Sequence, residues 1–170
     1  MATTVLQIAF GKTPLVCRKA MRSVRSFADA HGYEYRLIRR RPTWARRWDC
    51  TAASNRLRLQ EAISSVGAVW YFDWDCVVQT DIKAPRYLAF LPKRNHEAAF
   101  YAPRHDKGLL KTILDYLDAY SEAHKLPNGM PCESKERSRL CKIMKAYRSE
   151  MQYLNGADVR HLNIYTSRRR

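Results

Sequence analysis

Near the middle of the chain, residues 69–78 read VWYFDWDCVV, a run of large and β-branched side chains that includes two acids. The apolar run predicts a buried strand, and Asp73 and Asp75 stand where it runs out of apolar side chains. Because successive side chains of a strand point to opposite faces, we expect both aspartates on one face and Trp74 on the other. Two carboxylates would then lie side by side at the edge of a core.

Two interpretations fit this acidic pair. Neighbouring anions repel each other and lose hydration at the edge of a core. A divalent cation, or the diphosphate that such a cation carries, would offset both costs. Alternatively, the strand simply ends here and the aspartates cap the next turn. The rest of the sequence bears on the choice.

Strands and helices alternate before the acidic pair. The patterns predict strands at residues 4–10 and 33–38 and amphipathic helices at residues 14–31 and 51–66. This β-α-β-α-β order is typical of a parallel sheet. The acidic pair then lies at the carboxyl end of the third strand, where open α/β sheets bind ligands.

The pattern beyond position 78 is weaker. It predicts a strand at 98–102, an amphipathic helix at 107–123, a basic helix at about 134–153 and a last strand at 158–165. No internal repeat, low-complexity tract or second domain is evident. The length of 170 residues suits one α/β domain with a sizeable core.

The charge balance points to an anionic partner. The chain has 31 basic and 16 acidic residues, a net charge of +15. Such an excess favours nucleic acid, an anionic membrane face, or an acidic glycan or nucleotide. The alternative is a generally basic surface that only keeps the protein soluble.

A basic and aromatic segment follows the second predicted strand. Between residues 39 and 49, five arginines interleave with Trp44 and Trp48. Guanidinium groups bind phosphates bidentately and indoles stack on bases or sugars, so the segment suits a nucleotide donor or a nucleic-acid acceptor. Equally, the tryptophans can cover core while the arginines are solvated.

The cysteines and the chain start bear on location. The five cysteines are odd in number, scattered and without a Cys-x-x-Cys motif, so neither a zinc site nor a disulfide framework is indicated. No apolar run is long enough to cross a bilayer, and residues 1–10 lack the basic start of a signal peptide. We expect a cytoplasmic protein.

Four pieces of the sequence resemble a known family. They are LQIAFG at 6–11, SNRLR at 54–58, the run at 67–78 with its DWD, and FYAPRH at 100–105. Together they resemble the DXD-motif glycosyltransferases of the GT-A fold, especially the group of initiating mannosyltransferases and capsular sugar transferases. Asn55 stands where that group usually has an aspartate, and one glycine precedes the acidic strand instead of two.

The resemblance implies a fold and an activity. The fold would be a compact, Rossmann-like α/β domain over residues 1–170, with a mostly parallel sheet flanked by helices. Residues 1–80 would bind the nucleotide sugar, and residues 81–170 would form a reduced acceptor half with a basic C-terminal part. The enzyme would move a sugar from a nucleoside-diphosphate sugar to an acceptor. The net charge of +15, and not the resemblance, favours an anionic acceptor such as nucleic acid or a surface glycan.

The resemblance also implies a metal site. The second aspartate of the motif, Asp75, would bind Mn²⁺ or Mg²⁺, and Asp73 would contact the donor's ribose or sugar and support the metal. Carboxylates suit hard divalent ions, which neutralise the charge that builds on a leaving diphosphate. His161 resembles the late histidine that completes the metal shell, although a lone histidine in a strand also serves structural roles.

Five further residues are implied in donor binding. Gln7, Ala9 and Gly11 match the region that frames the nucleoside. Asn55 and Arg58 match the helix that positions the donor, and an arginine there can hold a diphosphate or a sugar. The resemblance implies a retaining reaction, for which no dedicated base is evident, whereas an inverting reaction needs a carboxylate base beside the acceptor hydroxyl. The loosely placed candidates for that base are Glu97, Asp106 and Asp81.

Two other classes of protein fit parts of the pattern. Asp73 and Asp75 also match the Asp-x-Asp nucleophile loop of haloacid-dehalogenase-like phosphatases, although that loop normally follows the first strand of its domain. A basic protein rich in arginine and tryptophan can instead bind nucleic acid without catalysis. Dependence on metal and on Asp75 distinguishes the transferase from the binder.

Overall fold

The computed structural model has a mixed α/β architecture. It describes residues 2–48, 50–91, 98–131, 139, 142–143 and 145–162. The strands are β1 (Thr4–Ile8), β2 (Glu34–Ile38), β3 (Val69–Asp73), β4 (Cys76–Val78), β5 (Ala89–Phe90), β6 (Ala99–Ala102), β7 (Gln152–Tyr153) and β8 (Val159–His161). The helices are α1 (Leu15–Ala30), α2 (Cys50–Ser64) and α3 (Gly108–Ala123), with short 3-10 helices at Thr43–Ala45 and Arg148–Glu150.

The main sheet has six strands in the order β2-β1-β3-β6-β5-β7. Three of its five strand pairs are parallel: β1 with β2, β1 with β3, and β5 with β7. The other two pairs, β3 with β6 and β5 with β6, are antiparallel. A separate ribbon pairs β4 with β8. Strand β3, which ends at Asp73, is therefore central, between β1 and β6.

Two apolar clusters cover the two faces of the main sheet. Alternate residues of β3 divide between them, as the two-residue period of a strand requires. Tyr71 packs in the cluster that contains residues of α2 and α3, whereas Trp70 and Phe72 pack in the cluster that contains Phe27 of α1. The helices thus form two layers around the sheet, with α1 on one side and α2 and α3 on the other.

Most predicted elements are confirmed with small shifts of their ends, and two are wrong. The single strand predicted at 69–78 is two strands, since the chain turns at Trp74 and Asp75 between β3 and β4. The basic helix predicted to reach residue 153 ends earlier, because a 3-10 turn and β7 occupy residues 148–153. Much of its first half, and the predicted strand beyond residue 162, lie outside the described residues.

Candidate active site

The two aspartates meet a histidine at the carboxyl end of β3. Asp73 is the last residue of β3, Asp75 lies in the following turn, and Cys76 of β4 pairs with His161 of β8. His161 Nε2 lies 2.9 Å from Asp75 Oδ1 and 3.9 Å from Asp73 Oδ2. One potential ligand atom from each of the three residues falls within 4.8 Å of the others. The turn, rather than strand alternation, brings the carboxylates together.

The carboxylate of Asp73 is held on one side by the protein. The Tyr71 hydroxyl donates a hydrogen bond to Asp73 Oδ1, and Arg58 Nη1 lies 3.8 Å from the same oxygen. Desolvation by burial raises the pKa of Asp73 to about 6, even though Arg58, Tyr71 and His161 lower it. With Oδ1 engaged in this way, Oδ2 is the oxygen on the side of His161.

Helix α2 supplies the cation beneath this carboxylate. Asn55 and Arg58 are three residues apart, so they lie on one side of the helix, and each is only 3% exposed. Arg58 Nη2 donates a 2.5 Å hydrogen bond to Asn55 Oδ1, and its guanidinium carbon lies 5.2 Å from the centre of the Tyr71 ring. Asn55 therefore orients the guanidinium that faces Asp73.

Gln7 lies next to Asp73 but is engaged within the protein. It is fully buried, donates a 3.2 Å hydrogen bond to the Asp73 backbone carbonyl, and accepts one of 2.8 Å from the Tyr35 hydroxyl. Ala9 is buried, and its N–H donates to the Ile38 carbonyl, which fastens the ends of β1 and β2 together. The structure thus brings Gln7 close to the aspartates as a supporting residue.

Gly11 lies in the loop between β1 and α1. Its φ angle is +75°, a backbone conformation that glycine adopts without strain, and it is exposed.

The structure describes two of the three candidate bases for an inverting reaction. Asp106 accepts a 2.9 Å hydrogen bond from the Leu88 backbone N–H, and Asp81 is exposed in a turn. Glu97 lies outside the described residues.

Cationic side chains surround the same edge of the sheet. Ile8, Ile38 and Asp73 share one rung of the sheet, so the loops after β1 and β2 begin beside the acidic pair. Arg39 Nη1 donates a 2.8 Å hydrogen bond to Thr13 Oγ1 and so ties these two loops together. From the exposed arginines and lysines of α1 and the second loop we group six as the cationic surface: Arg18, Lys19, Arg22, Arg40, Arg46 and Arg47.

A groove of about 380 Å³ lies at the other end of the sheet. It is lined by residues at the amino ends of β1, β2 and β3, including Thr4, Glu34 and Val69, and by Glu61 near the end of α2. Arg36 and Glu61 form an ion pair of 2.6 Å within it. Because the aspartates stand at the opposite ends of the strands, this groove is separate from them.

The sequence reasoning did not include Tyr71 in the site. A signal was present, because a tyrosine two residues before an aspartate in a strand lies on the same face. Tyr71 is fully buried, and its hydroxyl lies 3.5 Å from Ser54 Oγ as well as contacting Asp73. Burial, the Asp73 charge and their hydrogen bond raise the pKa of Tyr71 well above its usual value, so the phenol stays protonated as a donor.

Several solved glycosyltransferases share the fold of this chain. A glycosyltransferase involved in the glycosylation of the major capsid of PBCV-1 matches with a TM-score of 0.56 and 15% identity, over 92% of this chain and 82% of that one. GlyE of Streptococcus pneumoniae TIGR4 matches with a TM-score of 0.54 and 13% identity, over 91% of this chain and 45% of that one.

A third match is a mutant of Drosophila β-1,4-galactosyltransferase 7, in complex with manganese, UDP-Gal and xylobiose. Its TM-score is 0.54 at 12% identity, over 100% of this chain and 74% of that one. No family model matches the sequence, and no curated protein matches it. At these identities the likeness concerns the fold, and the predicted GT-A-like α/β fold is confirmed.

Within the described ranges, no helix has the length and apolarity to span a bilayer.

Proposed function

We propose that this protein is a metal-dependent glycosyltransferase that moves a sugar from a nucleoside-diphosphate sugar to an anionic acceptor. The observation that carries the proposal is the convergence of Asp73, Asp75 and His161 at the carboxyl edge of a glycosyltransferase-like sheet. The finer assignment is to the group of initiating mannosyltransferases and capsular sugar transferases, and it rests on the sequence pieces described above.

The three side chains fit a divalent cation. Asp73 Oδ2, Asp75 Oδ1 and His161 Nε2 would hold it, and two carboxylate oxygens with one imidazole nitrogen suit Mn²⁺ better than Mg²⁺, which prefers oxygen alone. A bound divalent ion would supply positive charge to the leaving diphosphate. Asp75 and His161 are already in contact, so the donor atoms need little movement to come together.

The surrounding residues have supporting roles in this proposal. Tyr71 and Arg58 engage Asp73 Oδ1 and leave Oδ2 towards the metal position. Gln7 holds the backbone of Asp73, which fixes the end of β3. Ala9 and Gly11 lie where the nucleoside would be framed, and Asn55 keeps the guanidinium of Arg58 directed at the site.

The proposed division of labour follows the chain. Residues 1–80 would hold the donor, and residues 81–170 would form the smaller acceptor half of a single domain. A cytoplasmic setting is part of this proposal, and Cys17, Cys50 and Cys76, the cysteines within the described residues, are free. The phosphatase alternative is weaker, because Asp73 ends the third strand and not the first.

A thermal-shift experiment tests the proposal. UDP and GDP are added with and without Mn²⁺, and we expect stabilisation by one of them only when Mn²⁺ is present, since ligands that bind the folded state raise the melting temperature. Asp75→Asn should abolish this shift. Asp115→Asn, which changes an exposed aspartate on α3, is the matched control and should keep it.

Nucleotide-sugar hydrolysis gives the second readout. We expect slow, Mn²⁺-dependent release of the nucleoside diphosphate from one donor, lost in Asp75→Asn and retained in Asp115→Asn. Metal-independent binding, or equal behaviour of the two variants, would contradict the proposal.

A further inference from the structure

The excess positive charge is concentrated in the first part of the chain. Residues 2–48 contain eleven basic and two acidic residues, whereas the remaining residues contain 20 basic and 14 acidic. The first group includes α1 and the loops that follow β1 and β2, which begin beside Asp73. The charge is therefore placed around the candidate active site and is not spread evenly over the protein.

The arrangement of charges on α1 works against the helix itself. Arg18, Arg22 and Arg25 follow each other at spacings of four and three residues, so they form a row of like charges on one side. Helix α1 has no acid in its first turn, where one would interact favourably with the helix dipole. Only the contact of 4.0 Å from Arg25 to Asp29 offsets the row among the described residues. Stability of the helix does not explain this pattern.

Among the residues that the structure describes, no carboxylate pairs with the cationic surface. Within the described ranges, none of its six residues (Arg18, Lys19, Arg22, Arg40, Arg46 and Arg47) lies within 4.0 Å of a carboxylate. The loop also presents Trp44, which is 42% exposed and packs edge-on against Trp48 with ring centres 5.0 Å apart. Exposed guanidinium groups beside an exposed indole suit phosphates and stacked bases.

The position of α1 places this charge next to the aspartates. The Val78 N–H of β4 donates a 3.0 Å hydrogen bond to Ser23 Oγ of α1, so the middle of the helix lies against the strand that follows Asp75. Arg22 adjoins Ser23, and Arg160 is exposed on β8, one residue before His161. A chain of phosphates lying along α1 would therefore pass beside the candidate active site.

A membrane surface fits these features less well. The apolar side of α1, which includes Cys17, Ala20, Val24 and Phe27, is completely buried against the sheet. The large exposed aliphatic side chains of α1 are Leu15 and Val16, in its first turn. An interfacial helix needs its apolar side free to enter the lipid. Nucleic acid requires only the cationic side, which is the side that is free here.

We propose that the acceptor is nucleic acid, and that it binds along the cationic surface with Trp44 stacking on a base. This inference rests on the proposed function, because it names the acceptor of the same site. In the transfer, the bond from the sugar anomeric carbon to the diphosphate oxygen breaks, and its electron pair leaves with the nucleoside diphosphate. A hydroxyl oxygen of the nucleic acid forms the new bond to that carbon and loses its proton to solvent.

Binding measurements on charge variants test the surface. Fluorescence anisotropy with labelled 20-nucleotide duplex DNA, single-stranded DNA and single-stranded RNA is measured from 50 to 300 mM salt. The test variant is Arg18→Gln with Lys19→Gln and Arg22→Gln. The matched control changes Lys111, Lys142 and Lys145 to Gln, three exposed lysines on or near the opposite helical layer.

We expect the test variant to bind at least one probe about tenfold more weakly and to lower the salt slope by about 2 to 3, since each lost phosphate contact removes roughly 0.7 to 0.9 from it. The control variant should change affinity less than twofold. Equal losses in both variants would overturn the proposal, because net charge alone would then explain the binding. Preferential, α1-dependent binding to phosphatidylserine vesicles would also overturn it.

The outcome is distinguishable from failure of the proposed function. Asp75→Asn should leave nucleic-acid affinity unchanged but abolish Mn²⁺-dependent stabilisation by a nucleoside diphosphate. If that stabilisation is present and no nucleic acid binds, the transferase stands and its acceptor is of another class. Incorporation of labelled sugar into the bound probe by the wild type, and not by the α1 variant at matched protein concentration, is the positive result.

Discussion

Helices α1 and α2 use arginine in opposite ways. Arg18 and Arg22 of α1 are exposed, whereas Arg56 and Arg58 of α2 are each 3% exposed. The two arginines of α2 have carboxylate partners within the protein, at Asp118 and Asp73. Burying a guanidinium is costly unless it is paired, so the arginines of α2 are part of the architecture. The arginines of α1 are exposed and can bind an anion outside the protein.

The difference separates what charge does for folding from what it does for binding. A substitution in α2 should reduce the free energy of unfolding, because it removes a buried and bonded group. The same substitution in α1 should act on an external anion and leave folding almost unchanged. The two helices thus provide internal controls for each other, and substitutions in each of them exploit this contrast.

Arg56→Ala should have the largest effect on stability. Arg56 Nε donates to Asp118 Oδ1 at 2.8 Å, Nη2 donates to Ser121 Oγ at 2.6 Å, and the guanidinium lies 4.8 Å from the centre of the Trp48 ring. Losing these contacts between α2 and α3 should lower the free energy of unfolding by about 3 kcal/mol, the upper end for hydrogen bonds made by a charged group, because Arg56 is buried although Asp118 is half exposed. Urea denaturation measures this loss, and the dependence of the unfolding free energy on urea concentration should be unchanged.

Arg22→Ala is the matched control for that change and should stay within about 0.5 kcal/mol of the wild type, as expected for an exposed site. Arg56→Met retains part of the buried volume and should fall between the two. If Arg56→Ala and Arg22→Ala were equally mild, the assignment of α2 arginines to the architecture would be wrong.

Arg58→Lys should have an intermediate effect on stability and a marked effect on the site. Lysine retains the charge near Asp73 but lacks the fork by which Arg58 also binds Asn55. We expect a loss of about 2 kcal/mol in the free energy of unfolding, the scale of a hydrogen bond between a buried charged donor and its acceptor. The Mn²⁺-dependent nucleotide shift should also shrink.

Asn55→Ala separates the two roles of Arg58, since it removes the orienting oxygen and leaves the guanidinium in place. A normal nucleotide shift in both variants would show that Arg58 has no part in donor binding.

Local sequence pattern was sufficient to predict the first half of the fold. Strand β2 and helix α1 have a two-residue and a helical period, and β1 and β3 are largely apolar runs. The β-α-β connections then favour parallel pairing of β1, β2 and β3. The antiparallel pairing of β6 with β3 and the turn at residues 74–75 depend on contacts between distant segments. The local period does not contain that information.

The residues of the candidate site also divide into those that the local sequence pattern predicts and those that depend on contacts between distant segments. Asp73 and Asp75 were predicted as site residues because neighbouring carboxylates at the end of an apolar strand repel each other and lose hydration unless a cation offsets these costs. Contact between Asp75 and His161 arises only when β4 pairs with β8, which brings together segments more than 80 residues apart. His161 was therefore named through a resemblance, whereas Tyr71 was overlooked because a buried tyrosine in a strand usually signals packing.

Trp44→Ala should weaken binding without unfolding the protein. The side chain is 42% exposed, and stacking of an aromatic ring on a base contributes about 1 to 3 kcal/mol. We expect a loss of about 1 to 2 kcal/mol in affinity for single-stranded probes, little change for duplex DNA, and an unfolding free energy close to the wild type. Trp44→Phe should recover most of the affinity. Equal losses for duplex and single strands would argue against stacking.

Arg18→Glu should change stability least, and it should raise the free energy of unfolding, whereas the substitutions in α2 lower it. Arg18 lies in the first turns of α1, where the helix dipole favours an anion, and it is one turn from Arg22. Glutamate there removes one repulsion and gains two attractions, so the free energy of unfolding should rise by about 0.5 kcal/mol while nucleic-acid affinity falls. Arg25→Glu should gain less, because Arg25 already contacts Asp29 and a glutamate there would repel it. A stability loss on Arg18→Glu would mean that Arg18 supports the fold, and the contrast between the two helices would then fail at this residue.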